Sequence, residues 1–533
     1  MKKWILLGTS LILVLTSCVN AVPTPTSTPT PATAKEMAGL PSLPTPTATI
    51  TPTPQVMGEP ISYGPNAEDF PAGINPLTGL PVTDPALLDE PALLLSVPHF
   101  PTAARPQSGL SFASWVFEFL ISEGTTRFLA VFYGELPYDE EPIVGDCDVR
   151  TEPLVHEGEH LGNLVWLDQN KDGIQSPGER GVAGVCVNLY DDKGNLIAES
   201  STDSNGYYGF AVEAGENYQV EFVQPAEMNF SPANIGDERF DSDADPESGK
   251  SGVIRIEGTN LLVDAGLIPP AGADPILPGG KVGPVRSARL LYIHIHQMFQ
   301  YSCLIFAGAT VSILGDIPAC AQVHNTENIA GSMLEIDRMK TLSEKNGINR
   351  GNGFNYASNL FAETPPEGGF PVEQLDLFFS SVNQAQWIYE PINQSWARYV
   401  DNASEEDTVF TRDIDNLTGR ELSFENVIVL FVEHEVLRPR IADMHMEIGK
   451  QEKGYLFRDG RAYEILWSTR ATDYERTTGL RRPVAFQDLD GNPIALRPGK
   501  TWIVIATPFS EITESDARHW RLRVYAPEGF GEY

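Results

Sequence analysis

The apolar positions of this chain fall mostly in short runs with a period of two. Over residues 126–133, Phe128, Ala130 and Phe132 alternate against Leu129 and Val131, which predicts a strand. Residues 93–97 are continuously apolar and predict a buried strand. Residues 185–190, 196–200, 207–210, 218–222 and 253–257 are short runs of the same kind. Turn signals such as Asp192-Lys193-Gly194-Asn195 and Asp203-Ser204-Asn205-Gly206 separate them. Many short strands with regular turns predict a β-sandwich. Further strands are expected over 373–379, 424–431 and 501–506, and a hairpin over 454–467 turning at Asp459-Gly460. Helical spacing is rarer. Phe112, Trp115, Val116, Phe119 and Leu120, with Ser111 as a cap, predict a helix. Ile329, Met333, Ile336 and Met339 predict another over 326–340. Residues 290–296 read as a strand with His294 and His296 on one face.

The first 57 residues have no such pattern. Lys2 and Lys3 precede a short apolar stretch over 4–15, too short for a standard membrane span. It ends Leu15-Thr16-Ser17-Cys18, which resembles the bacterial lipobox. That resemblance implies cleavage before Cys18 and a lipid on it, and so an extracytoplasmic protein tethered to the membrane. Residues 22–54 are Thr/Pro-rich and nearly empty of core formers, a disordered, semi-rigid spacer. A chain of 533 residues predicts several domains.

Acids outnumber bases by 72 to 37, for a net charge of −35. Such a surface repels nucleic-acid phosphates, so a nucleic-acid partner is not expected. It favours divalent cations. Beyond Cys18 there are four cysteines, at 147, 186, 303 and 320. An oxidising compartment permits disulfides. Cys303 with Cys320 would close a local loop, and Cys147 with Cys186 would staple two segments. The spacing does not fix the connectivity, and free buried cysteines are the alternative.

The most specific chemical signal is residues 168–179. Asp168, Asn170 and Asp172 alternate, Gly173 permits a sharp turn, and Glu179 can close a cage with both carboxylate oxygens. The Ile174 carbonyl and Ser176 complete an oxygen set for calcium. The two flanking helices usual for such a loop are missing, and Trp166 suggests a strand before it. A second acidic run holds Asp241, Asp243 and Asp245. Its alternate carboxylates repel one another at close range unless a cation or water screens them; the plain alternative is a solvated loop. Residues 161–270 carry 19 acids and 6 bases, consistent with metal-dependent folding.

Two resemblances follow from these motifs. The pattern Val165-Trp166-Leu167-Asp168, Asn170-Lys171-Asp172-Gly173, Gly184-Val185 and Asn205-Gly206-Tyr207-Tyr208 resembles the B-type domain of serine-aspartate-repeat adhesins. This implies a prealbumin-like, calcium-binding sandwich, with further calcium sites formed by Asp241, Asp243 and Asp245 together with Asp203 and Asp264. Before and after it, Arg105-Pro106-Gln107-Ser108-Gly109-Leu110, Glu118, Glu123-Gly124-Thr125-Thr126-Arg127-Phe128 and Gly283-Pro284-Val285-Arg286-Ser287-Ala288-Arg289 resemble the YerB-like bacterial lipoproteins. That family's domain carries no established activity. Glu447-Ile448-Gly449-Lys450-Gln451-Glu452-Lys453 departs from the small, glycine-rich segment frequent there.

The expected organisation is a signal segment to 18, a linker over 19–57, and an α+β host over 58–151 and 271–400. The host is interrupted by the all-β sandwich over 152–270 and followed by a β-rich C-terminal subdomain over 401–533. Gly-x-Ser-x-Gly and phosphate-loop motifs are absent from the sequence, and no catalytic residue is nominated. His294 and His296 lack an evident third metal ligand. Arg105, Arg127, Arg286 and Arg289 either surround an anionic ligand in the host or form buried ion pairs with Glu118 and Glu123. The functional expectation is a binding or scaffold protein of the cell envelope, with envelope proteins or wall polymer as partners. An envelope enzyme or anionic-ligand binder acting through the host cleft is the rival.

Overall fold

The computed structural model describes residues 58–533 except 123, 155–157, 274–275, 319, 349–352 and 532–533. The signal segment, Cys18, the Thr/Pro-rich linker and Glu123 lie outside the described residues.

One sheet of eleven strands organises the host. Its middle is a parallel pair, Trp115–Ser122 beside Thr501–Ala506, with Trp115 opposite Thr501 and Phe119 opposite Ile505. Sequence before the sandwich is therefore hydrogen-bonded to sequence near the C-terminus. Thr125–Phe132 and Leu93–Pro98 extend the sheet on one side. Asn426–Phe431, Gln451–Arg458 and Arg461–Ser468 extend it on the other.

The expected helix at 112–120 is the strand Trp115–Ser122. Trp115, Phe117 and Phe119 point to one side, Val116 and Leu120 to the other, and all are buried. A strand buried on both faces loses its period of two, and the remaining apolar run matches helical spacing by chance. The converse error lies at 290–296. There α1, Tyr292–Met298, replaces the expected strand and lays Tyr292, Ile295 and Met298 on the sheet. Over 326–340 the chain first forms the strand Ser332–Glu335, and α2 runs later, Ile336–Ile348.

A second sheet covers the face opposite α1. It holds Gln374–Ser380, Asn383–Glu390, Ser395–Asp401, Phe410–Arg412, Glu511–Asp516 and His519–Arg523. Leu375, Trp387, Trp396 and Leu522 pack there against Val116, Phe128, Val429 and Trp502. The division expected at 400 falls inside this sheet, because Ser395–Asp401 pairs with Phe410–Arg412. The C-terminal region is β-rich, but both of its sheets also contain earlier strands.

The sandwich has its own core, including Leu161, Val165, Val187, Tyr208, Val220 and Phe222. Two four-stranded sheets enclose it. One contains Cys186–Asp191, Leu196–Ser201 and Asn217–Phe222; the other contains Glu159–Leu167, Tyr207–Val212 and Ala265–Ile268. The alternating runs recognised in the sequence form these strands because each has one face on the core and one outside. Cys147 is bonded to Cys186, and Cys303 to Cys320. The first bond holds residues 143–150, expected to be host, along the sandwich. Gly145 N–H donates to the Ala183 carbonyl at 2.7 Å and Cys147 N–H to the Gly184 carbonyl at 2.9 Å.

Candidate functional site

The strand Glu159–Leu167 delivers Asp168 fully buried at the mouth of the acidic loop. Asp168 Oδ1 accepts from Lys171 N at 2.6 Å, and Oδ2 from Gly173 N at 2.9 Å. Gly173 has φ +78°, and a Cβ there would lie 2.2 Å from the Pro232 carbonyl oxygen, so glycine is required. Asn170 Oδ1 accepts from Asp172 N and Asp172 Oδ1 from Ile174 N, at 2.9 and 2.8 Å. Glu179 returns to the start of the loop, its Oε1 accepting from Gln169 N and its Oε2 from Ser176 N, at 2.9 and 2.8 Å. Burial raises the Glu179 carboxyl above its ordinary range, and Asp168 adds to the shift while backbone donors oppose it.

The second acidic run is divided. Asp241 pairs backbone to backbone with Ile174, so it lies beside the loop. Its side chain is buried with Oδ1 unpartnered. Glu238 has an unpartnered buried Oε2 and is pushed up to about 7 by burial, Asp241 and Asp237. Sequence reading passed over Glu238, although its place between Asp237 and Asp241 was the available signal. Asp264 is buried and held well above the ordinary range by burial and then Asp243, whose Oδ2 accepts from Asp264 N at 2.8 Å. Asp203 stands apart, paired with Arg150 at 3.1 Å. Asp245 is exposed and caps its own turn through Ser248.

Among the described residues, no three His, Cys, Asp or Glu side chains are gathered as a metal cluster. The donor chemistry of the loop nevertheless fits a hard dication. Asp168, Asn170, Asp172, Ser176 and Glu179 offer oxygen, and among the described residues no Lys or Arg forms an ion pair with the three acids. Their oxygens are held by N–H groups of the same loop.

This acidic end of the sandwich sits against the host. Residues 175–180 and Phe240 face Asn75, Thr83, Glu425 and Lys500 across a cavity of about 320 Å3. Arg180 meets Glu135 at 2.6 Å, and Arg239 meets Glu363 at 3.0 Å. On another side Arg420 reaches Glu140 at 2.6 Å and the Ser204 carbonyl at 3.1 Å.

The four arginines separate. Arg105 pairs with Asp401 at 3.0 Å and reaches His99 Nε2 at 2.7 Å. The His99 ring packs against Phe128, so this group is on the face of the sheet opposite the Arg127 side chain. Glu118 shares the Phe128 face and accepts from Thr126 Oγ1 and Trp502 Nε1 at 2.9 and 3.0 Å. It is not the partner of Arg127. Arg127, Arg286 and Arg289 come together near α1. Arg127 and Arg289 both donate to the Ser287 carbonyl, at 3.2 and 3.4 Å. His294 and His296 lie on α1 and point to different partners, Asp443 at 3.1 Å and the Ser302 carbonyl at 3.2 Å.

Fold and site together define a β-rich host sheet interrupted by a sandwich that carries an oxygen-lined acidic loop. Comparison with known proteins assigns each part. Residues 159–267 match the SdrD B-like domain. Residues 77–145 match the N-terminal domain, and 375–503 the C-terminal domain, of a protein of unknown function, DUF3048. Serine-aspartate repeat-containing protein I of Staphylococcus saprophyticus is 41% identical over 113 residues, covering 20% of this chain and 6% of that protein. The fibrinogen-binding protein of Staphylococcus epidermidis is 46% identical over 87 residues, 16% of this chain and 8% of that protein. Serine-aspartate repeat-containing protein C of Staphylococcus aureus (strain Newman) is 40% identical over 108 residues, 20% of this chain and 11% of that protein. The chain thus spans only a small part of these relatives. The crystal structure of YerB protein from Bacillus subtilis aligns with 81% of this chain and 96% of its own, at 17% identity and a TM-score of 0.42.

Proposed function

We propose that this is a lipid-anchored, extracytoplasmic binding or scaffold protein whose sandwich is stiffened by calcium. The anchor would be Cys18, with the Thr/Pro-rich stretch as spacer and envelope proteins or wall polymer as partners. The observation that carries the reading is the loop at 168–179, an all-oxygen donor set seated against the host. The likeness of residues 159–267 to serine-aspartate repeat proteins, one of them named for fibrinogen binding, supports a surface-binding role.

Calcium would be held by Asp168, Asn170, Asp172, the Ile174 carbonyl, Ser176 and Glu179. Bound there, it would relieve the repulsion between Asp168 and Glu179. Because the same loop faces residues 75–83, the order gained would pass into the seat of the sandwich on the host. The test is thermal melting of the full chain with calcium and with chelator. Calcium at a hundred times its Kd stabilises by about 2.7 kcal/mol. Asp168→Asn should reduce that gain, and equal melting temperatures with and without calcium would refute the reading. Release of the protein from membranes by Cys18→Ser tests the anchor separately.

A further inference from the structure

We propose that Arg127, Arg286 and Arg289 form an oxyanion site in the host that takes a phosphate group. The site lies at the end of the central sheet, beside α1. Arg127 comes from the strand Thr125–Phe132, and the other two from the segment between Lys281–Val285 and α1. Arg127 is only 5% exposed. Its Nη1 donates to the Ser287 carbonyl at 3.2 Å, while its buried Nε has no partner. Arg289 Nη1 donates to Ser287 Oγ at 2.8 Å and also to the Ser287 and Ala288 carbonyls. Arg286 follows Val285 into a surface cleft of about 800 Å3 that Ser287, His324 and Thr326 also line. Its buried Nε is likewise unpartnered.

Among the described residues, all the acceptors of these guanidinium groups are neutral oxygens. In a chain of net charge −35, three neighbouring arginines with no carboxylate partner among the described residues are an anomaly that needs a physical cause. Burial pushes Arg127 down to about 9, and Arg289 and Arg286 push it in the same direction; only the Tyr292 hydroxyl opposes them. Burial and Arg286 act likewise on Arg289. Tyr292 is itself held by Ser96 Oγ at 3.0 Å. A multiply charged oxyanion removes the repulsion and satisfies the idle N–H donors. Planar guanidinium forks match a tetrahedral phosphate at two oxygens at once. Arg105 does not belong to this site, since Asp401 already neutralises it.

The test is calorimetric titration of the full chain with inorganic phosphate, glycerol 3-phosphate and glycerophosphoglycerol. Saturable one-to-one binding of phosphate is expected below ~10 mM. Arg286→Ala and Arg289→Ala should each weaken it roughly ten- to a hundredfold, the effect of one or two charge-assisted hydrogen bonds. Among the described residues Arg286 makes no ion pair, and its side chain is only partly buried, so its variant should fold like the parent. Arg255→Ala, in the sandwich, should bind as the parent does. Tighter binding of the monoester than the diester supports a soluble phosphate ester as ligand. Equal binding supports a phosphodiester, from a polymer or a lipid headgroup. No phosphate binding below ~10 mM, or binding insensitive to both arginine variants, would overturn the proposal.

Discussion

Replacing both Cys147 and Cys186 by serine should loosen the sandwich selectively. The bond closes a separation of 39 residues. In the chain-entropy description such a loop restricts the unfolded ensemble by ~13 cal/mol/K, or about 4 kcal/mol at 25 °C. The native contacts of the stapled segment should survive the change. Gly145 N–H still meets the Ala183 carbonyl, Ala226 N–H still meets Asp146 Oδ2 at 2.9 Å, and Arg150 still pairs with Asp203. The loss therefore falls on the unfolded side of the equilibrium. Hydrogen exchange followed by mass spectrometry reads it by region. A loss of about 4 kcal/mol is roughly three decades of protection. It should appear in peptides from Glu159–Leu167, Cys186–Asp191 and Tyr207–Val212. Peptides from Thr501–Ala506 in the host should keep theirs. The Cys303–Cys320 pair, separated by 17 residues, provides the reciprocal case: its removal should cost about 3 kcal/mol and act on the host alone. Unchanged protection in the sandwich would refute the argument. An equal fall in host and sandwich would refute their independence as unfolding units.

Three other perturbations have definite expectations. Asp415 is fully buried and its carboxylate accepts from Gly109 N, Ser111 N, Ser111 Oγ and Leu417 N. Asp415→Ala strands those donors and should cost about 3–5 kcal/mol in urea denaturation, with Asp415→Asn costing less; equal costs would show that the carboxylate is not the link. A Cβ on Gly181 would stand 1.8 Å from the Asn205 carbonyl oxygen, so Gly181→Ala should cost about 3 kcal/mol, read as a lower melting temperature. His99 is held well below its ordinary 6.5 by burial and by Arg105 and Arg398. The folded state keeps it neutral while the unfolded chain takes up a proton, so stability falls as pH drops below about 6.5. His99→Gln should flatten that fall between pH 7 and 5 in paired urea titrations, and superimposable slopes would exclude His99 as its source.

The sandwich was the most legible part of the chain. Residues 185–190 and 218–222 have one face inward and one outward, so their period survives burial. The acidic loop was legible because its residues are consecutive. The central sheet was less so, since Phe117 and Val116 are both buried and no polar face marks the strand. At α1 the apolar content of Leu291, Ile293 and Ile295 fits two periods, and packing on Phe119 and Trp115 chose the helix.

By itself, the sequence determined local matters: which segments make short strands, where turns fall, which loop is rich in oxygen ligands, and that a sandwich interrupts a host. These depend on neighbours within a few positions. Tertiary structure alone decided how distant segments combine. It paired Cys147 with Cys186, joined Trp115–Ser122 to Thr501–Ala506, and placed Asp241 beside Ile174. It also divided the four arginines, giving Arg105 to Asp401 on one face of a strand and leaving Arg127 with Arg286 and Arg289 on the other. Alternate side chains leave a strand in opposite directions, and what waits on either side comes from remote sequence. Motif spacing therefore showed that the arginines exist, and only the sheet showed which of them meets an acid among the described residues.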